Sequence, residues 1–266
     1  SIIPLKEPQG VMYGMGWHQS QEEGKTLVNY APKKKGAKAL AIYQELNSKL
    51  PEVAALYRDR LSCLFPGASM QLQSFADKDA VLSFGDALDG ISPQRPFTNS
   101  LTATREGFCN FQHQDKDKAP IAYGPWWAGK KTADDKWSFT PDADHGRIRG
   151  GEFMWGGFGI GVDFAKAHGL VEIFWRGKID HHGTLHSVDD PGFTRFGTSI
   201  QITMKGVNAM KKVWNVEQLA QAGHDIHKLE TASRITTAQN RIDKAKANEV
   251  STITSVLSIY SMLSGR

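Results

Sequence analysis

The chain has 266 residues, 40% of them hydrophobic and 23% charged, with a formal net charge of +4. That is long and apolar enough for one large domain with its own core, and it excludes a disordered or low-complexity chain. Two cysteines, Cys63 and Cys109, are too few for a disulfide framework and too widely spaced for a paired zinc knuckle. No run of about 18 apolar residues is present, and the opening SIIPLKEPQG lacks the basic start and apolar centre of a secretory signal, so a soluble intracellular protein is expected. The mild basic surplus permits a polyanionic partner without requiring one.

In chain order, PKKKG at Pro32–Gly36 reads as an exposed loop, with phosphate contact as the alternative. Ala37 to Leu64 carries apolar residues at helical spacing, and Pro51 predicts a break and a second helix start within it. After Pro66 the texture changes to short segments rich in Phe, Thr, Val and Ile, punctuated by Gly and Pro. This predicts many short strands up to about Gly206. GLVEIFWRG and TSIQITM are the firmest strands, and TADDKWSFTPDADHGR is a polar connection. From Val213 onward the spacing is helical again.

Chemistry concentrates in FCNFQHQDKDKAP, Phe108 to Pro120. On a strand over Phe108–Asp115, residues two apart share a face, so His113 and Asp115 would project together and could take two cis positions on one metal. A second element, DHHGTLHSVDDPGFTRFGTSIQI, offers His181, His182 and His186, followed by Arg195. Two histidines and one carboxylate on one face of iron(II) leave three positions open, as a bidentate 2-oxo acid and oxygen require. An arginine fork can grip the far carboxylate of 2-oxoglutarate.

His113-Gln114-Asp115, a histidine in GTLHSV and Arg195 nine positions later resemble the signature of the iron(II)/2-oxoglutarate double-stranded β-helix dioxygenases. The intervening GGFGIGVDF and GLVEIFWRG are similar to the TET/JBP branch, its fungal TET-like members in particular, over most of Gly10 to Met210. The resemblance implies an α+β fold: a double-stranded β-helix (jelly-roll) core over residues 99–206, an N-terminal helical and strand region over 1–98, and C-terminal helices over 207–266. It implies iron(II) held by His113, Asp115 and His186, the histidine that matches the family spacing best, with His182 next in line. 2-Oxoglutarate would be anchored by Arg195, with Asn110 and Ser199 as further contacts. Gly197 stands where the family's commoner pattern has a serine.

HQDKD at His113–Asp117 also resembles the AlkB-type nucleic-acid demethylases, which makes Asp117 a candidate reader of a methylated base. AlkB proteins place a second arginine six residues after the first, whereas here that position is Gln201. The function implied is oxidation of methylated DNA bases, 5-methylcytosine first and N6-methyladenine as the alternative, with a non-nucleic-acid substrate as the rival class. DNA would be the partner, and a nuclear location follows from that substrate class alone.

Overall fold

The computed structural model describes residues 9–19, 27–30, 36–85, 96–139 and 144–221. Chain contacts divide it into two units, residues 1–19 with 27–211, and residues 20–26 with 212–266. Most of the second unit lies outside the described residues, as do most of the PKKKG loop and the helical pattern expected beyond Gln221.

The elements are β1 (Gln9–Gln19), β2 (Leu27–Asn29), α1 (Ala37–Leu64), α2 (Pro66–Lys78), β3 (Ser100–Cys109), β4 (Ala122–Lys131), β5 (Trp137–Ser138), β6 (Ile148–Gly150), β7 (Phe153–Trp155), β8 (Ile160–Val162), β9 (Val171–Trp175), β10 (His182–Thr184), β11 (Ser187–Asp189), β12 (Phe193–Gln201) and α3 (Met204–Gln221). Single helical turns at His145–Arg147 and Phe164–Lys166 interrupt the second half.

Pro51 does not break α1. It falls where the helix passes from a largely exposed first half to a packed second half, in which Leu50, Ala54, Tyr57 and Leu61 repeat on one face. Packing of that face offsets the one backbone hydrogen bond that proline removes. The strand texture expected directly after Pro66 is also corrected. Pro66 occupies the first turn of α2, where its missing N–H costs nothing, and Ala68, Leu72 and Ala76 bury the helix.

The large sheet runs β2-β1-β3-β12-β4-β5, with β9 also paired to β4, and all its pairings are antiparallel. Two smaller antiparallel groups, β10-β7-β8 and β11-β6, supply the opposing layer. Side-chain alternation then sorts the residues. On β4 and β9, Ala122, Trp126, Ile173 and Trp175 point inward and join Phe153 and Phe164 in one buried cluster. The residues between them turn to the helices: Tyr123 stacks on Phe174 at 4.9 Å, and the Tyr57 hydroxyl lies 2.5 Å from Thr198 Oγ1 of β12. Helices, one large and two smaller antiparallel sheets and an aromatic cluster between strands of the large sheet and β7 make the α+β jelly-roll fold that the resemblance implied.

Candidate metal centre

β3 ends at Cys109, and the chain continues extended but almost unpaired to Asp117. Within that segment His113 exchanges both backbone hydrogen bonds with His182, N to O at 2.9 Å and 3.0 Å, and Asp115 N–H donates to Gly177 O at 2.8 Å. The strand expected over Phe108–Asp115 is thus reduced to one bridge beyond Cys109, yet that bridge sets the register of the site. His182 also pairs with Trp155 of β7, so the small sheet carries it to the mouth of the sandwich.

The result is a cluster of His113, Asp115 and His182 whose ligand atoms all lie within 4.8 Å of one another. His113 Nε2 is 3.4 Å from Asp115 Oδ1, and His182 Nε2 is 3.3 Å from Asp115 Oδ2. The other nitrogen of each ring meets a backbone carbonyl: His113 Nδ1 lies 2.7 Å from Phe111 O, and His182 Nδ1 lies 3.0 Å from Asp180 O. Those carbonyls accept from Nδ1–H and so fix each ring with its Nε2 toward the carboxylate, the orientation that metal-ligating histidines take. By donor type and orientation the three residues fit a divalent metal with open positions.

Electrostatics agree. Burial alone would raise the Asp115 carboxyl, but hydrogen bonds from His113 and His182 outweigh it and hold it well below the usual carboxylate range. The hydrogen bond to Asp115 raises His113. A cation here would meet ligand groups already drawn together.

His186, the distal ligand expected from the spacing, lies outside this cluster, and His182 takes the place beside His113 and Asp115. His186 is exposed; its carbonyl accepts from Gly151 N–H, and its ring Cε1 points at Gly107. β10 ends at Thr184 before His186 is reached. His181 has the opposite parity from His182, and its carbonyl accepts from Gly156 N–H.

A cavity of about 270 Å³ opens on the cluster, walled by all three ligands together with Thr102, Asn110, Trp126, Phe153, Trp175, Ser199 and Gln201. Asn110 and Ser199 lie in that wall, and Asn110 Oδ1 also accepts from Thr184 N–H at 2.8 Å. Asp117 does not reach it. Its carboxyl is buried, its backbone bridges Thr203, and burial followed by the Asp115 charge pushes it up to about 8. A larger depression of about 480 Å³ lies between α1 and α2, but its walls hold no histidine.

Arg195 is buried below the aromatic cluster and outside the cavity wall. Its Nε donates to His145 Nδ1 at 3.3 Å, and its terminal nitrogens donate to Gly150 O at 2.8 Å, Gly151 O at 3.3 Å and Ile148 O at 3.2 Å. Phe164 covers the guanidinium at 4.6 Å. Four of its five N–H donors are engaged, so a two-pronged grip on a carboxylate would require it to release backbone carbonyls.

Three residues that the sequence did not single out as site-builders complete the centre. Gln201 Nε2 donates to Asp115 Oδ2 at 3.3 Å, a supporting contact at the position where AlkB proteins carry their second arginine. Gly177 packs under Asp115, where a Cβ would lie 2.5 Å from Oδ2. Trp175 lies beside His182, with ring centroids 5.7 Å apart. Gly197 also has a steric reason: a Cβ there would sit 2.3 Å from Trp126 Nε1 and 2.8 Å from Thr104 Oγ1. The indole fills the space a serine would need.

The model of the Tet-like 2OG-Fe(II) oxygenase superfamily matches residues 2–187, which includes all three clustered ligands. The chain belongs to this family. Its cofactors are accordingly iron(II) and 2-oxoglutarate, and the His-Asp-His cluster is a group able to hold the iron. The match stops short of Arg195, the engaged arginine. No curated protein matches the chain.

Proposed function

We propose that this Tet-like oxygenase oxidises the methyl group of methylated bases in DNA, 5-methylcytosine foremost, to the hydroxymethyl base and beyond, and that it works in the nucleus. The observation that carries the reading is the His113–Asp115–His182 cluster, open to a cavity with largely neutral walls, in a chain of the Tet-like family. When bound, iron(II) and 2-oxoglutarate supply with dioxygen the oxidising equivalent: one oxygen atom enters the methyl C–H bond, the other enters succinate, and carbon dioxide leaves.

The protein's own residues do the rest. His113, Asp115 and His182 hold the metal on one side, Gln201 steadies Asp115, and the Trp126, Phe153 and Trp175 walls keep bulk water from the reacting carbon. A base inside a duplex cannot reach such a cavity, so the substrate is extruded or single-stranded. Exposed Phe111, Ile160 and Ile179 support this. Each sits on or beside a segment hydrogen-bonded around the triad, where an apolar side chain can stack on an unpaired base. A carboxylate reading the exocyclic amino group would support the N6-methyladenine alternative, and the burial of Asp117 away from the cavity favours the carbon-bound methyl.

The test is mass spectrometry of nucleosides after incubating the protein, iron(II), ascorbate and 2-oxoglutarate with duplexes and single strands carrying 5-methylcytosine or N6-methyladenine. Oxidised cytosines that vanish in His182→Ala are expected. Succinate formation with both bases unchanged would place the substrate outside DNA.

A further inference from the structure

Among the polar groups around the metal cavity, the indole N–H of Trp175 stands apart. Trp175 is 5% exposed, and its Nε1 is buried without a hydrogen-bond partner. A buried donor in that condition is rare and costly unless something else satisfies it. Trp175 also walls the cavity that holds His113, Asp115 and His182. A Cβ built on Gly177 would be 3.1 Å from Trp175 Nε1 and 2.5 Å from Asp115 Oδ2, so the indole nitrogen and the metal carboxylate flank one point.

The ring itself cannot turn to find another partner. It is packed against Trp126 at 5.9 Å, Phe153 at 5.1 Å and His182 at 5.7 Å, and the pairing of Ala122 with Trp175 fixes its inward face.

A dianionic cosubstrate must be held in this cavity, yet no lysine or arginine is among its described walls, and most of the donors of Arg195 are spent on backbone carbonyls. Neutral N–H and O–H donors then carry what the metal does not. We propose that the Trp175 indole N–H donates a hydrogen bond to an oxygen of 2-oxoglutarate, which makes Trp175 a cosubstrate-binding residue. The proposal rests on the cosubstrate that the family implies.

Trp175→Phe keeps an aromatic ring in the cluster and removes the donor. The protein is loaded with manganese(II), a redox-silent stand-in for iron(II), and calorimetry measures the affinity first for the metal and then for 2-oxoglutarate. Expected is an unchanged manganese affinity with 2-oxoglutarate bound about ten-fold or more weakly, the loss of one hydrogen bond to a charged acceptor. Unchanged 2-oxoglutarate affinity overturns the proposal. So does an equal loss of manganese affinity, which would assign the N–H to Asp115. If the wild-type protein binds no 2-oxoglutarate, the cosubstrate reading itself fails. Should the variant not fold, zinc-loaded wild-type protein is titrated with 2-oxoglutarate while its tryptophan indole N–H resonances are followed. A downfield shift of one of them is expected, and the absence of any shift overturns the proposal.

Discussion

Gly177→Ala places the smallest possible wedge beneath the metal carboxylate. The added Cβ would lie 2.5 Å from Asp115 Oδ2 and 3.4 Å from Asp115 Cγ, where ordinary van der Waals contact begins at 3.4 Å. The oxygen must retreat by nearly an ångström, and its contacts with Gln201 and His182, both already at 3.3 Å, lengthen or break. Disturbing the support of a metal ligand costs about 10- to 100-fold in metal affinity, or about 1.4 to 2.7 kcal/mol. Calorimetric titration with manganese(II), beside a thermal melt of the metal-free protein, separates this from a folding defect. Affinity should fall within that range while the melt moves little. Wild-type affinity in a folded Gly177→Ala protein would refute the placement of Asp115 in the metal shell.

Two further predictions concern the buried arginine and its neighbour. Arg195→Ala removes four hydrogen bonds and the contact with Phe164. It should destabilise the fold by about 3 kcal/mol or more even without cosubstrate; a denaturant midpoint within error of wild type would contradict the clamp. His145 donates from Nε2 to Gly169 O at 2.9 Å and accepts the Arg195 N–H at Nδ1, so a second proton would face a donor. Burial lowers its pKa from the ordinary 6.5. The unfolded chain therefore takes up the proton first: stability from this group is complete above about pH 6.5 and falls as pH drops toward the folded value, by at most about 1.4 kcal/mol per pH unit. His145→Gln should flatten the dependence below pH 6.5, and an unchanged slope in denaturant titrations would refute the assignment.

Much of this was legible in the residues. His113 and Asp115 share a side because a two-residue spacing on extended chain dictates it, even though the regular strand stops at Cys109. The strands expected in GLVEIFWRG and TSIQITM from their β-branched and aromatic content overlap β9 and β12, although β12 runs from Phe193 to Gln201 and Met204 opens α3. The second histidine of the cluster has no such local signal. His182 and His186 differ by four, an even number, so strand alternation gives both the same face. Only the reciprocal backbone pairing of His113 with His182 brings one of them into the cluster, and pairing across 69 residues leaves no local trace.

Tertiary packing also overruled two local signals. A buried face carried α1 through Pro51, and Pro66 opened a helix where the surrounding texture suggested strands. Arg195 matched a motif by residue type, but its role depends on which carbonyls surround it, and sequence spacing does not record that. Gly197 departs from the family's commoner pattern because Trp126 fills the space a side chain would need.

The central claim is that His113, Asp115 and His182 form the metal site. Its most direct test is the iron(II) bound by purified wild-type protein, His182→Ala and His186→Ala, measured by equilibrium dialysis and metal analysis after anaerobic loading. One iron per chain in the wild type and in His186→Ala, with binding lost in His182→Ala, is the predicted result. Iron retained by His182→Ala and lost from His186→Ala would contradict the account.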